Sequence, residues 1–141
     1  MKVRLLTGLA VATALALTVL IPVSAQAPIY DVTWVGGPPG AEQTYTGTAT
    51  MSVDAKGVVT GKLGLTSPVA VNANLAGAIA KDTLTLDFPY EIPEQQCTGS
   101  IKGTGKAAAG LKTIEGTAMI GGACTGDQPF NSTFKFTLRE K

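Results

Sequence analysis

The sequence predicts an all-β chain: a single up-and-down antiparallel β-barrel of about eight strands, preceded by an export signal. Three observations carry this expectation. Apolar or small residues alternate with polar ones along most of the chain after residue 28, the period-two signature of a half-buried strand. Turn-forming residues interrupt that alternation every ten to sixteen residues. Finally, Cys97 to Cys124 reads as a hairpin about the turn Ala109-Gly110-Leu111. One register there sets Ile101 opposite Ile120 and Gly103 opposite Ala118, and brings Cys97 to Cys124.

The first 25 residues have the form of a secretory signal peptide. Lys2 and Arg4 make a basic start, Leu5 to Ile21 an apolar run, and Val23-Ser24-Ala25 a small-residue cleavage site before Gln26. The expected mature domain is residues 26–141, secreted or periplasmic, with no membrane insertion. Without Lys2 and Arg4, 9 basic residues face 10 acidic ones, so charge gives no reason to expect a nucleic-acid partner. Cys97 and Cys124 are the chain's two cysteines, and in an exported protein they read as one disulfide.

Taken in order, strand 1 is expected over Ile29 to Val35, ending at the Gly36–Gly40 break. Strand 2, Gln43 to Val53, puts Tyr45, Gly47, Ala49, Met51 and Val53 on one face and hydroxyl residues from Thr44 to Ser52 on the other. Asp54-Ala55-Lys56-Gly57 is a turn. Strand 3 runs Val58 to Leu65 and stops at Ser67-Pro68; strand 4, Val69 to Ile79, turns Val71, Ala73, Leu75 and Ile79 one way. After the Lys81-Asp82 turn, strand 5 alternates Leu84, Leu86, Phe88 and Tyr90, with Pro89 withdrawing a donor from its outer ladder. Glu91 to Gln96 reads as a loop, the cysteine hairpin supplies strands 6 and 7, and strand 8 spans Phe130 to Arg139 with Phe134, Phe136 and Leu138 inward.

A short glycine repeat recurs at YTGTA, VTGKL, LAGAI, CTGSI, IEGTA and CTGD, each time with Gly on the apolar face. Glycine weakens a strand unless the backbone bends or another group approaches closely, and a small closed barrel needs both. Aromatic rings on strands 5 and 8 are expected to lie over the glycines of strands 6 and 7. A two-sheet β-sandwich is the rival arrangement. A transmembrane barrel is excluded because it needs the inverse pattern, apolar outside and polar inside.

With Trp34 on the first strand, an eight-strand meander, and FKFTLR ending at Arg139, the chain resembles the calycins, the lipocalin- and avidin-like secreted barrels. In lipocalins a first-strand Trp packs across the closed end beneath a last-strand Arg, so the resemblance implies barrel closure by Trp34 and Arg139. The lipocalin glycine two residues before the Trp is replaced here by Val32.

The absence of histidine excludes Ser-His-Asp, Cys-His and His-metal chemistry. No cofactor, metal or catalytic set is expected, and the protein reads as non-enzymatic. Asp87, Glu91 and Glu94 flank the exit of strand 5 and read as solvated carboxylates rather than an acidic catalytic lip. Asp54 and Asp82 read as turn formers, Asn131-Ser132-Thr133 as a glycosylation sequon, and Lys62, Lys102, Lys106 and Lys135 as outward, solubilising charge. An interior mixing small residues with Tyr45, Phe88, Tyr90, Phe134 and Phe136 suggests a ligand cavity at the barrel mouth for a small apolar molecule. The alternative is a secreted protein partner, with the chain acting as a protease inhibitor through Gln26–Asp31 or the Gly36–Gly40 loop.

Overall fold

The structure, a computed structural model, describes residues 26–37, 40–125 and 132–141. The expected signal peptide, Phe130 and the Asn131 sequon position lie outside these residues. Eight strands follow one another: β1 (Ile29–Gly36), β2 (Gln43–Val53), β3 (Val58–Ser67), β4 (Val71–Ala80), β5 (Thr83–Ile92), β6 (Cys97–Ala107), β7 (Thr113–Gly122) and β8 (Ser132–Glu140). Each pairs antiparallel with its neighbours, and β8 returns to β1 through Tyr30–Glu140 to Gly36–Phe134. The ring is closed, which replaces the sandwich rival with an up-and-down barrel and leaves no unpaired edge.

The turns explain where the strands stop. At the β2–β3 hairpin, Asp54 Oδ1 accepts from the backbone N–H groups of Lys56 at 2.8 Å and Val58 at 2.9 Å. Gly57 closes that turn at φ +82°, a conformation glycine reaches without a Cβ clash. β3 extends to Ser67, beyond the expected Leu65, because a bulge at Thr46/Gly47 lets Ser67 pair with Thr46. β4 starts at Val71 rather than Val69. Glu91 and Ile92 remain in β5, paired with Thr98 and Cys97, so the expected Glu91–Gln96 loop shrinks to a 3-10 turn at Pro93–Gln95 plus Gln96. The Pro89 effect is local: pairing between β4 and β5 is interrupted between Ala73–Tyr90 and Gly77–Leu86, the stretch holding the residue with no N–H.

The β6–β7 register is the one read from the cysteine hairpin, with Ile101 opposite Ile120 and Gly103 opposite Ala118. Cys97 and Cys124 form a disulfide with Cα atoms 5.2 Å apart. The connections β2–β3, β4–β5 and β6–β7 gather at one end of the barrel. Large inward residues plug that end: Tyr30, Met51, Val59, Leu84 and Ile114 are each no more than 2% exposed. Apart from tyrosine hydroxyls and the Trp34 indole N–H, no polar or charged side chain is buried among the described residues, so the interior is held chiefly by apolar contact.

Glycines set the wall thickness. A Cβ at Gly116 would come within 2.7 Å of the Phe136 ring, and one at Gly99 within 2.5 Å of the Tyr90 ring. The rings of β5 and β8 thus lie on backbone in the manner expected, and fill space that side chains from β6 and β7 would otherwise occupy.

Candidate functional site: the open mouth of the barrel

The opposite end carries the β1–β2, β3–β4, β5–β6 and β7–β8 connections, and here the packing opens. A cavity of about 380 Å³ enters the barrel, walled by Trp34, Tyr45, Tyr90 and Phe134 with Leu65, Val71, Ile92, Ile101 and Ile120. Cys124 borders it, so the disulfide sits at the rim. The volume falls at the small end of the roughly 300–1,000 Å³ typical of ligand pockets. Its aromatic wall is continuous. Trp34 and Phe134 have ring centroids 6.3 Å apart, and Tyr45 meets Phe134 edge-on at 5.8 Å.

Side-chain polarity in the wall is confined to a few groups. Tyr45 Oη donates to Gln43 Oε1 at 3.3 Å near the rim. Burial pushes the Tyr90 phenol above its ordinary value of 10.0, and Tyr45 beside it adds to the shift. At the closed end burial and then Glu140 raise the Tyr30 phenol in the same direction. Both folded-state values are therefore higher than the unfolded value. The fold's preference for neutral phenol is fully present below about pH 10 and is lost as pH rises past it, where the unfolded chain ionises first. Denaturant titrations at pH 9 and pH 11 should show lower stability at the higher pH. The loss should be smaller in a Tyr30→Phe/Tyr90→Phe variant.

Of the residues singled out in the sequence, Tyr45, Tyr90 and Phe134 meet at the cavity. Phe88 and Phe136 do not line it: each is 1% exposed and packed into the solid interior below. Trp34 belongs to the mouth, where it walls the cavity, so the lipocalin-like closure assigned to it is corrected. Arg139 does not cover Trp34. Inward positions of β8 are Phe134, Phe136 and Leu138, which turns Arg139 outward into solvent opposite Asp31 and Thr113. The aliphatic wall residues Leu65, Val71, Ile92, Ile101 and Ile120 were not singled out beforehand. The parity of Val71, Ile101 and Ile120 was visible and Ile92 was read as loop, but the height of each in the barrel depends on strand stagger.

The carboxylates stay apart from the cavity. Asp87 and Glu91 are exposed on the outer face of β5, Glu94 is exposed in the 3-10 turn, and Asp87 lies 3.8 Å from Lys102. Among the described residues no three of His, Cys, Asp and Glu gather where a metal ion would sit. The segment Gln26–Asp31 is tied to the wall: Met51 N–H donates to Pro28 O at 3.3 Å, and Asp31 is part of β1. A larger, shallower groove of about 590 Å³ crosses the outer wall, bounded by Thr48, Thr50, Lys62, Asn72, Asn74 and Glu91. It follows the interrupted β4–β5 ladder and is open to solvent, so it encloses a ligand far less than the mouth does.

No protein-family model matches the chain, and no curated protein does. Similar solved structures are redesigned β-barrels. One is mFAP1 bound to DFHBI, at TM-score 0.55 and 12% identity, over 81% of this chain and 94% of that one. Another, b11L5F_LGL, matches at TM-score 0.52 and 14% identity, over 82% and 91%. A third, mFAP0 bound to DFHBI, matches at TM-score 0.52 and 11% identity, over 81% and 97%. At these identities the likeness is one of fold, and it extends over nearly the whole of each designed chain.

Proposed function

We propose that this chain is an exported, non-enzymatic, calycin-like barrel that holds a small apolar molecule in its open mouth. The observation that carries the reading is the cavity of about 380 Å³, walled mainly by aromatic and aliphatic side chains above a solidly packed floor. Burying apolar surface there supplies roughly 25 cal/mol per Å² of driving force, and the few polar groups orient rather than anchor. Two barrels of similar fold are bound to DFHBI, which supports a closed ring of this kind as able to take a small ligand. The disulfide suits an oxidising compartment outside the cytosol, in keeping with an export signal at residues 1–25.

The test is a titration with the neutral fluorescent probe N-phenyl-1-naphthylamine, alongside native mass spectrometry of gently purified protein. Saturable one-to-one binding is expected, and Ile120→Trp, which fills the mouth, should weaken it at least about tenfold while leaving the fold intact by circular dichroism. Wild-type protein that shows neither saturable binding nor an adduct overturns the proposal.

A further inference from the structure

Resting on the mouth-binding reading, the structure points to the chemical class of the occupant and to the residue that selects it. Trp34 walls the cavity, is 3% exposed overall, and its Nε1 is buried with no hydrogen-bond partner. It is the one buried side-chain polar atom left unsatisfied among the described residues. An indole N–H gives a proton and accepts none, so only an acceptor relieves it. A donor left without a partner in an apolar interior is a standing cost, and on a residue that walls a cavity a small turn of the ring lets a ligand supply the missing atom.

The rest of the wall narrows the chemistry. Among the described residues no Lys, Arg, Asp or Glu borders the cavity, so neither an anion nor a cation finds a counter-charge in that lining. The Trp34, Phe134, Tyr45 and Tyr90 rings offer faces and edges suited to a flat aromatic body. We propose that the mouth selects a neutral, planar aromatic molecule bearing a carbonyl or similar acceptor, which takes the Trp34 Nε1–H at its inner end. Trp34 is thereby a specificity-determining residue. The Tyr45–Gln43 pair stays at the rim, outside this contact.

Fluorene and fluorenone test this, since they share a flat tricyclic frame and differ by one ketone. In wild-type protein fluorenone should bind about tenfold more tightly than fluorene, although water retains the ketone better. The indole Nε1–H proton resonance in a ¹H–¹⁵N spectrum should move downfield with fluorenone and stay close to its free position with fluorene. In Trp34→Phe the preference should collapse to near unity, while both affinities fall together with the lost ring area. The wild-type resonance reads the contact without relying on the variant's folding. Equal binding of the two compounds with an unmoved indole resonance overturns the donor assignment and leaves mouth binding standing. Failure of both compounds to bind overturns the mouth reading itself.

Discussion

Phe136→Ala should be among the most damaging single substitutions in the barrel, lowering stability by about 3–5 kcal/mol in urea unfolding. Phe136 is 1% exposed, stacks at 5.8 Å from Trp34, and rests on Gly105 and Gly116. A Phe-to-Ala change usually costs less where neighbours relax into the void. Here the floor is glycine backbone locked in the β6–β7 ladder, with no side chains to swing across. The reciprocal change tests the same fit from below. Gly116→Ala would push a Cβ against the Thr104 carbonyl and to 2.5 Å from Gly105 Cα and 2.7 Å from the Phe136 ring. Overpacking of that kind costs about 1–3 kcal/mol. Combining Gly116→Ala with Phe136→Leu should recover only part of that loss, because the ring is relieved and the backbone clash is not. A cost under about 1 kcal/mol for Phe136→Ala would mean that the ring does not bear on the wall as described.

That contact also marks how far the sequence was legible. Parity alone predicted that Phe136 faces inward with Gly105 and Gly116, and alternation together with turn chemistry placed all eight strands within a few residues. The misplaced ends have tertiary causes: the bulge at Thr46/Gly47 lengthens β3, and continued pairing of Glu91 and Ile92 with β6 lengthens β5. Closure through β8 and β1 has no local signal, since Gly36 and Phe134 meet across almost the whole chain. The same limit separates Trp34 from Tyr30. Both face inward on β1, yet one walls the mouth and the other plugs the closed end, and only the stagger of the ring distinguishes them. Arg139 teaches the opposite lesson. The alternation of Phe134, Phe136 and Leu138 already turns it outward, and likeness of the terminal motif obscured what period two implied.

Opening the disulfide should produce the second large effect, and one that differs between the two ends of the barrel. Cys97 and Cys124 are 27 residues apart in sequence, and a loop of that size corresponds to about 3–4 kcal/mol in the chain-entropy account. For a domain of this length a Cys97→Ser/Cys124→Ser variant should melt roughly 10–20 °C lower. The bridge fastens the 3-10 turn Ala123–Thr125 to the start of β6, beside the cavity that Cys124 borders. Loss of the bridge should therefore speed amide exchange first at Thr98–Ser100 and Ile120–Gly122. The closed-end ladders around Leu84 and Ile114, each 0% exposed, should stay protected up to global unfolding. Binding of an apolar probe at the mouth should weaken together with the rim. A melting temperature lowered by less than about 3 °C, or exchange rising evenly around the ring, would show that the rim is held by strand pairing rather than by sulfur.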